Sequence, residues 1–439
     1  MVKSEVMSNT KKASNELKLL LFCAIIGAVA GIVFWLFLLA VNKGTWLIWE
    51  MIPNKLSAFY LYPIMACTAG GLIIGIFRKA FGDYPEDMMT VFSKLKKDKS
   101  YPYRNIPVIL IAALLPLIFG SSVGPEAGMV GIIVALCCWA GDNLKFAGSQ
   151  SAYYSKVGAA VSLSVMFRSP LFGILNVEEG IENDIDENMA SGDKSADKTE
   201  RLPVTKLTKI IVYCVAAGTG FGCFWLMNSI FGEVLEGFPT FDVISLQKWD
   251  YILFIFYLIC GVALGLFFEY SEKVFEKAGK ALPPVLRELI AGVIFGAVAC
   301  LVPVIRFSGE EQMGILISDF AKYSPLAMIG IAFLKIVMTN MCIQMGLKGG
   351  HFFPLIFAAV CLGFGLSLMI FPDEISHATY AAAIVAAGTL GVTLKKPLAA
   401  SMLLLLCFPA KTLLWITPSA AISAWISRLV GDKTEFIQA

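Results

Sequence analysis

A chain of 439 residues with 57% hydrophobic and only 15% charged side chains lies outside the soluble globular range, where charged residues make up roughly a quarter. Its mean hydropathy of +0.75 points to a polytopic, multi-pass membrane protein. The net charge of +2 says nothing for a nucleic-acid partner, and none is expected. Eleven Cys sit mostly inside apolar runs without CxxC pairs, so they read as small buried residues rather than a disulfide frame. The two His, His351 and His377, are too few and too far apart for a metal cluster, and no cofactor is expected.

Residues 1–18 are polar and carry Lys3, Lys11, Lys12 and Lys18. They lack the ordered basic, apolar and small-residue regions of a cleaved signal, which predicts a cytoplasmic N-terminal tail. Apolar runs follow at 19–41, 64–77, 108–119, 155–177, 210–231, 251–268, 327–345, 351–370 and 413–426. They imply more than ten helical segments. Several fall short of the about 20 residues of a full span, as half-helices or re-entrant pieces do. The insert 182–201 reads ENDIDENMASGDKSADKTER, acidic and free of aromatics, as a solvated loop does. The expected organisation is a first membrane repeat region at 19–181, an acidic polar loop at 182–203 and a second repeat region at 204–439. No cytosolic regulatory domain is expected after the last apolar run.

Gly124-Pro125-Glu126-Ala127-Gly128 places one carboxylate among helix-breaking residues inside a membrane segment, after Ser121 and Ser122. A charge at bilayer depth costs about 2.5–3.5 kcal/mol on insertion scales and is rarely kept without a use. Broken backbone at that depth is tolerated only in protein or beside a cavity. A helix starting at such a break aims free N–H groups at whatever lies ahead, which makes an anion site with a titratable carboxylate beside it. The competing reading is a surface loop with a solvated Glu.

A second break, Gly349-Gly350-His351-Phe352-Phe353-Pro354, also opens an apolar helix, with Lys348 either adding positive potential or sitting at the interface. Glu126 to Pro170 spans 44 residues and Phe352 to Pro397 spans 45, between the like segments Arg168-Ser169-Pro170-Leu171 and Lys395-Lys396-Pro397-Leu398. Matched breaks in two halves mark a transporter's binding site, with chance Gly/Pro punctuation as the rival. Phe81-Gly82-Asp83-Tyr84-Pro85-Glu86 reads as a third helix N-terminus, with Asp83 as its cap or facing the pore. Gly309-Glu310-Glu311-Gln312-Met313-Gly314 reads as surface. Glu178 and Glu179 read either as a solvated helix end or as a proton acceptor, with at most one facing inward.

These residues resemble the CLC chloride channels and proton-coupled chloride transporters. The family's G-(K/R)-E-G-P pattern is matched by Gly124-Pro125-Glu126-Ala127-Gly128, and its G-x-F-x-P pattern in full by Gly350-His351-Phe352-Phe353-Pro354. Its G-S-G-I-P pattern is matched loosely by Phe81-Gly82-Asp83-Tyr84-Pro85. The segment 169–179 is similar to the family helix that carries an internal proton glutamate. The resemblance spans nearly the whole chain. It implies an all-α, CLC-type inverted repeat of tilted and broken helices, and a homodimer with one pore per subunit. It makes Glu126 the gating glutamate and Glu179 the internal proton glutamate, with Glu178 as the fallback. It puts Gly82, Asp83, Gly124, Ala127, Gly350, His351, Phe352, Phe353 and Phe436 around the anion.

The chain also departs from the family. The coordinating serine falls on Gly82 and the coordinating tyrosine on Phe436, so both hydroxyls are lost. Pro125 replaces a basic residue and brings no N–H. At roughly 0.5–1.5 kcal/mol net per hydrogen bond, weak chloride binding or another anion follows. The resemblance thus implies a carrier in lipid that exchanges chloride or a similar small anion against protons in a prokaryotic inner membrane. A passive channel and a fluoride-selective carrier are the alternatives. An intramembrane enzyme is not expected. No second mid-segment Asp partners Asp83, and no GxSG serine motif occurs with a His.

Overall fold

The computed structural model describes residues 2–55, 60–98, 100–143, 151–176, 206–234, 239–241, 244, 248–318, 323–372 and 375–438. Among these residues the backbone is helical, without a strand. Among the described residues, eight helices are long and apolar enough to cross a membrane, and three shorter apolar helices join them. Leu286–Leu301 and Ile375–Leu394 are helices outside the predicted runs. The run at 155–177 is not one helix. Ser151–Met166 ends, Arg168 takes a left-handed φ of 46°, and the chain restarts at Pro170 with Gly173 against the Ala160 carbonyl.

The chain forms two compact units from interleaved segments. One comprises Met1–Leu39, Met89–Ile106 and Met129–Val234. Its helices approach along small residues. Gly27 and Gly31, one turn apart on Val2–Trp46, lie against the carbonyls of Ala216 and Gly220, one turn apart on Lys206–Phe231. A Cβ at either glycine would meet that backbone. This small-xxx-small stripe suits lipid, where packing must replace a hydrophobic drive. Trp35 Nε1 closes the contact by donating to Asn228 Oδ1 at 2.8 Å.

The other unit comprises Ala40–Met88, Pro107–Gly128 and Leu235–Ala439. Here Tyr62–Phe81 packs on Leu286–Leu301, with Gly71 and Gly75 against Glu288 and Val285, and Gly292 and Gly296 against Cys67 and Ile64. Its central helices, Phe352–Ile370 and Ile375–Leu394, are buried over most of their length, and the second carries the buried polar residues His377, Thr379 and Thr389. Several polar groups inside find partners, as a low-dielectric interior favours. Lys335 Nζ donates to the carbonyls of Ile305 and Phe307 at 2.9 and 2.8 Å. Asn340 Nδ2 donates to Phe268 O and Ser271 Oγ at 2.9 and 2.6 Å.

Left-handed residues recur at a near-constant offset along the chain. Gly82 has φ 101° and Gly309 has 109°, Gly120 has 77° and Gly346 has 100°, and Arg168 has 46° and Lys395 has 55°. Gly120 and Gly346 each end a helix through the same pair of bonds. Gly120 N and Ser121 N donate to Leu117 O and Pro116 O, and Gly346 N and Leu347 N donate to Ile343 O and Cys342 O. A helix opens six residues later in both cases, at Glu126 and at Phe352. This is the inverted repeat in backbone form. The surface reading of 309–314 holds for part of the segment: Glu311 is exposed, whereas Gly309 packs on Phe357 and Met313 is buried.

Candidate functional site

The two breaks meet. Gly124 N donates to Gly350 O at 2.8 Å, and Gly350 N donates to Gly124 O at 2.7 Å, an antiparallel bridge of one residue pair. These two amides were expected to face an anion. They are spent on each other, because the extended segments lie side by side and each satisfies the other's buried backbone.

The glycines serve the site through shape. A Cβ on either Gly124 or Gly350 would collide with the Glu126 carboxylate. The Glu126 side chain is 2% exposed and fills this slot. From the first turn of Glu126–Asn143 it reaches the start of Phe352–Ile370, where Oε1 accepts from Phe353 N–H at 3.1 Å. Its Oε2 is buried without a hydrogen-bond partner among the described residues. The carboxylate therefore sits where the helix presents unpaired donors and partial positive charge, a natural anion position. Pro354 in the first turn contributes no N–H and fixes the helix direction.

His351 occupies the cap position, its ring 5.2 Å from Phe268 and 4.7 Å from Phe352. Phe352 and Phe353 are buried and give the pocket apolar walls, and Ala127 is buried one residue past Glu126. Ser122 and Thr339 hydroxyls meet at 2.9 Å, joining the approach to the first break to the helix that precedes the second.

Gly82 and Asp83 are not a helix start. Gly82 is the C-cap of Tyr62–Phe81, and the next helix opens at Met88. Asp83 is consequently no N-cap. Its side chain is 66% exposed and pairs with Arg78 and with Lys348, the latter at 2.9 Å. Arg78 and Glu288, which anchor this corner, were not singled out from sequence. Arg78 terminates an apolar run and Glu288 interrupts another, which is the signal that would have found them. Glu178 and Glu179 lie outside the described residues. Phe436 belongs to the last turns of Leu413–Gln438, a continuous helix. No group of three or more His, Cys, Asp or Glu placed to hold a metal occurs among the described residues.

The chain is 23% identical to the voltage-gated ClC-type chloride channel ClcB of Shigella flexneri over 325 residues, 71% of this chain and 70% of that protein. It is 23% identical to the chloride channel protein CLC-e of Arabidopsis thaliana over 95% of this chain but only 60% of that protein. Among solved structures it is similar in fold to a slow cyanobacterial Cl−/H+ antiporter, with TM-score 0.70 and 15% identity over 95% and 97% of the two chains. A CLC-type fluoride/proton antiporter gives TM-score 0.69 and 15% identity over 94% and 95%. The family described as voltage gated chloride channel matches residues 65–428, and this multi-pass membrane protein therefore belongs to the CLC family of anion channels and transporters.

Proposed function

We propose that the protein exchanges chloride, or a similar monovalent anion, against protons across a prokaryotic inner membrane, as a homodimer with a pathway in each subunit. One observation carries this reading: the Glu126 carboxylate occupies the N-terminus of Phe352–Ile370. As an anion, the carboxylate competes with the substrate for that position. On protonation it loses the charge that holds it there and frees the path, so the state of one proton decides the occupancy of one anion position. Glu179, with Glu178 as the fallback, supplies the second proton station. The amides of His351, Phe352 and Phe353 hold the anion, with Ala127 beside them. Gly82 and Phe436 bring no hydroxyl, which makes chloride binding weak.

The test is flux in liposomes containing the purified protein. An imposed chloride gradient is expected to drive protons uphill. Chloride flux with no proton movement would make the protein a channel and overturn the exchange reading. Repeating the assay with nitrate, thiocyanate and fluoride ranks the anions, and fluoride transport without chloride transport would replace chloride as the substrate.

A further inference from the structure

The loop that ends at the amide pocket starts in a charge cluster. Arg78, in the last turn of Tyr62–Phe81, has a side chain only 6% exposed. Its Nη1 donates to Glu288 Oε1 at 2.5 Å and to the Gly346 carbonyl at 3.1 Å. Arg287 donates to the same Glu288 oxygen through Nε at 3.1 Å and Nη2 at 2.9 Å, and the other Glu288 oxygen accepts from Val285 N–H at 2.8 Å. Glu288 is thus fully engaged and fixes Arg78 in place. The remaining end of the guanidinium, Nη2, faces Asp83, whose second oxygen takes the Lys348 ammonium at 2.9 Å.

The members differ in how they are held. Arg78 is locked by the fold and Lys348 is 25% exposed, on the loop that leads to Gly350. Asp83 lies on an irregular segment behind the left-handed Gly82. A carboxylate gripped by a guanidinium and an ammonium is bound as a free anion is bound. An ion pair this open to solvent contributes little to stability, so it is readily exchanged. Three cations, Arg78, Arg287 and Lys348, face Glu288 and Asp83, and Glu86 and Asp87 add their negative field at Lys348, so an arriving anion meets balanced charge only once Asp83 has moved away.

We propose that Arg78 and Lys348 form a docking site for a small monovalent anion beside the 346–350 loop, and that the exposed Asp83 is its intramolecular occupant. The substrate displaces this carboxylate before passing to the amide pocket. The inference rests on the anion-transport reading, and it adds a station that the helix breaks do not supply.

The experiment titrates the purified full-length protein in detergent with chloride, alongside the liposome flux assay. Asp83→Asn and Asp83→Ser are each expected to tighten chloride binding about tenfold, the scale of one charge-assisted contact freed. Asp83→Glu, which keeps the charge, stays near wild type. The gain is expected to vanish when Lys348→Gln is combined with Asp83→Asn, because the vacated site then lacks half its donors. If the gain persists with Lys348→Gln, Asp83 acts only as a distant repulsive charge and the proposal is overturned. If Asp83→Asn and Asp83→Ser bind chloride no more tightly and melt at lower temperature, the pair is a structural tie and the proposal fails. Absence of any anion flux in the wild type would instead defeat the transport reading, and the titration would still report on the docking site.

Discussion

The two helix breaks share a backbone and differ in chemistry. Gly120 to Glu126 and Gly346 to Phe352 run through the same left-handed glycine, the same paired turn bonds and the same six-residue crossing. At the first helix start stands a carboxylate, and at the second an aromatic ring. The asymmetry continues downstream, where Glu178-Glu179 after Pro170 correspond in spacing to Leu405-Leu406 after Pro397. The first break thus carries a carboxylate, Glu126, and the second carries the Phe353 amide that it meets. A duplicated backbone supplies the geometry, and single substitutions on it divide the labour.

Erasing that difference gives the largest expected effect. Glu126→Gln removes the carboxylate that sets the first break apart and is expected to abolish uphill proton movement while anion flux continues. A pH electrode on proteoliposomes reads it, and unchanged proton transport would remove Glu126 from the gate. Glu179→Gln is expected to lose most of the coupling and to bind anion normally in calorimetry. Full coupling there, with loss in Glu178→Gln, would move the second proton station one residue upstream.

Gly350→Ala tests the slot itself. Its Cβ has no room beside the Glu126 carboxylate, so either that side chain is displaced or the bridge to Gly124 shifts. Overpacking of this kind costs about 1–3 kcal/mol. A melting temperature and a coupling ratio both equal to wild type would mean that the slot yields freely. Gly82→Ser has the smallest expected effect. Restoring the family hydroxyl at φ 101° forces a side chain into a left-handed backbone, at a cost of roughly 1 kcal/mol, which offsets any hydrogen bond it gains. Chloride affinity raised about fivefold by Gly82→Ser would show that the loop relaxes to accept it.

The breaks, their spacing and Glu126 were legible in the sequence because each is a local departure from apolar helix. What was not legible depends on partners far away in the chain. Gly124 and Gly350 look like free anion donors until their mutual bridge is seen. Asp83 looks like a cap because Pro85 and Glu86 follow it, yet its partners are Arg78 and Lys348, the second 265 residues away. The helix end at Arg168 carries no glycine to announce its left-handed turn, so 155–177 reads as one segment. Gly309 looked superficial for want of a comparison with Gly82, whose φ it shares.

The Gly124–Gly350 bridge also bears on time. It ties the two crossing segments at their backbones, with Glu126 hanging beside the tie. A gate mounted this way opens by torsion about its own side-chain bonds inside a packed slot, without the rocking of one packed element against another, which takes microseconds to milliseconds. On the proposed function, the transporter then waits on protonation of Glu126 rather than on a movement of whole helices. Its turnover is expected to rise with proton concentration and to change little with membrane viscosity, the quantity that brakes any mechanism in which whole helices must move.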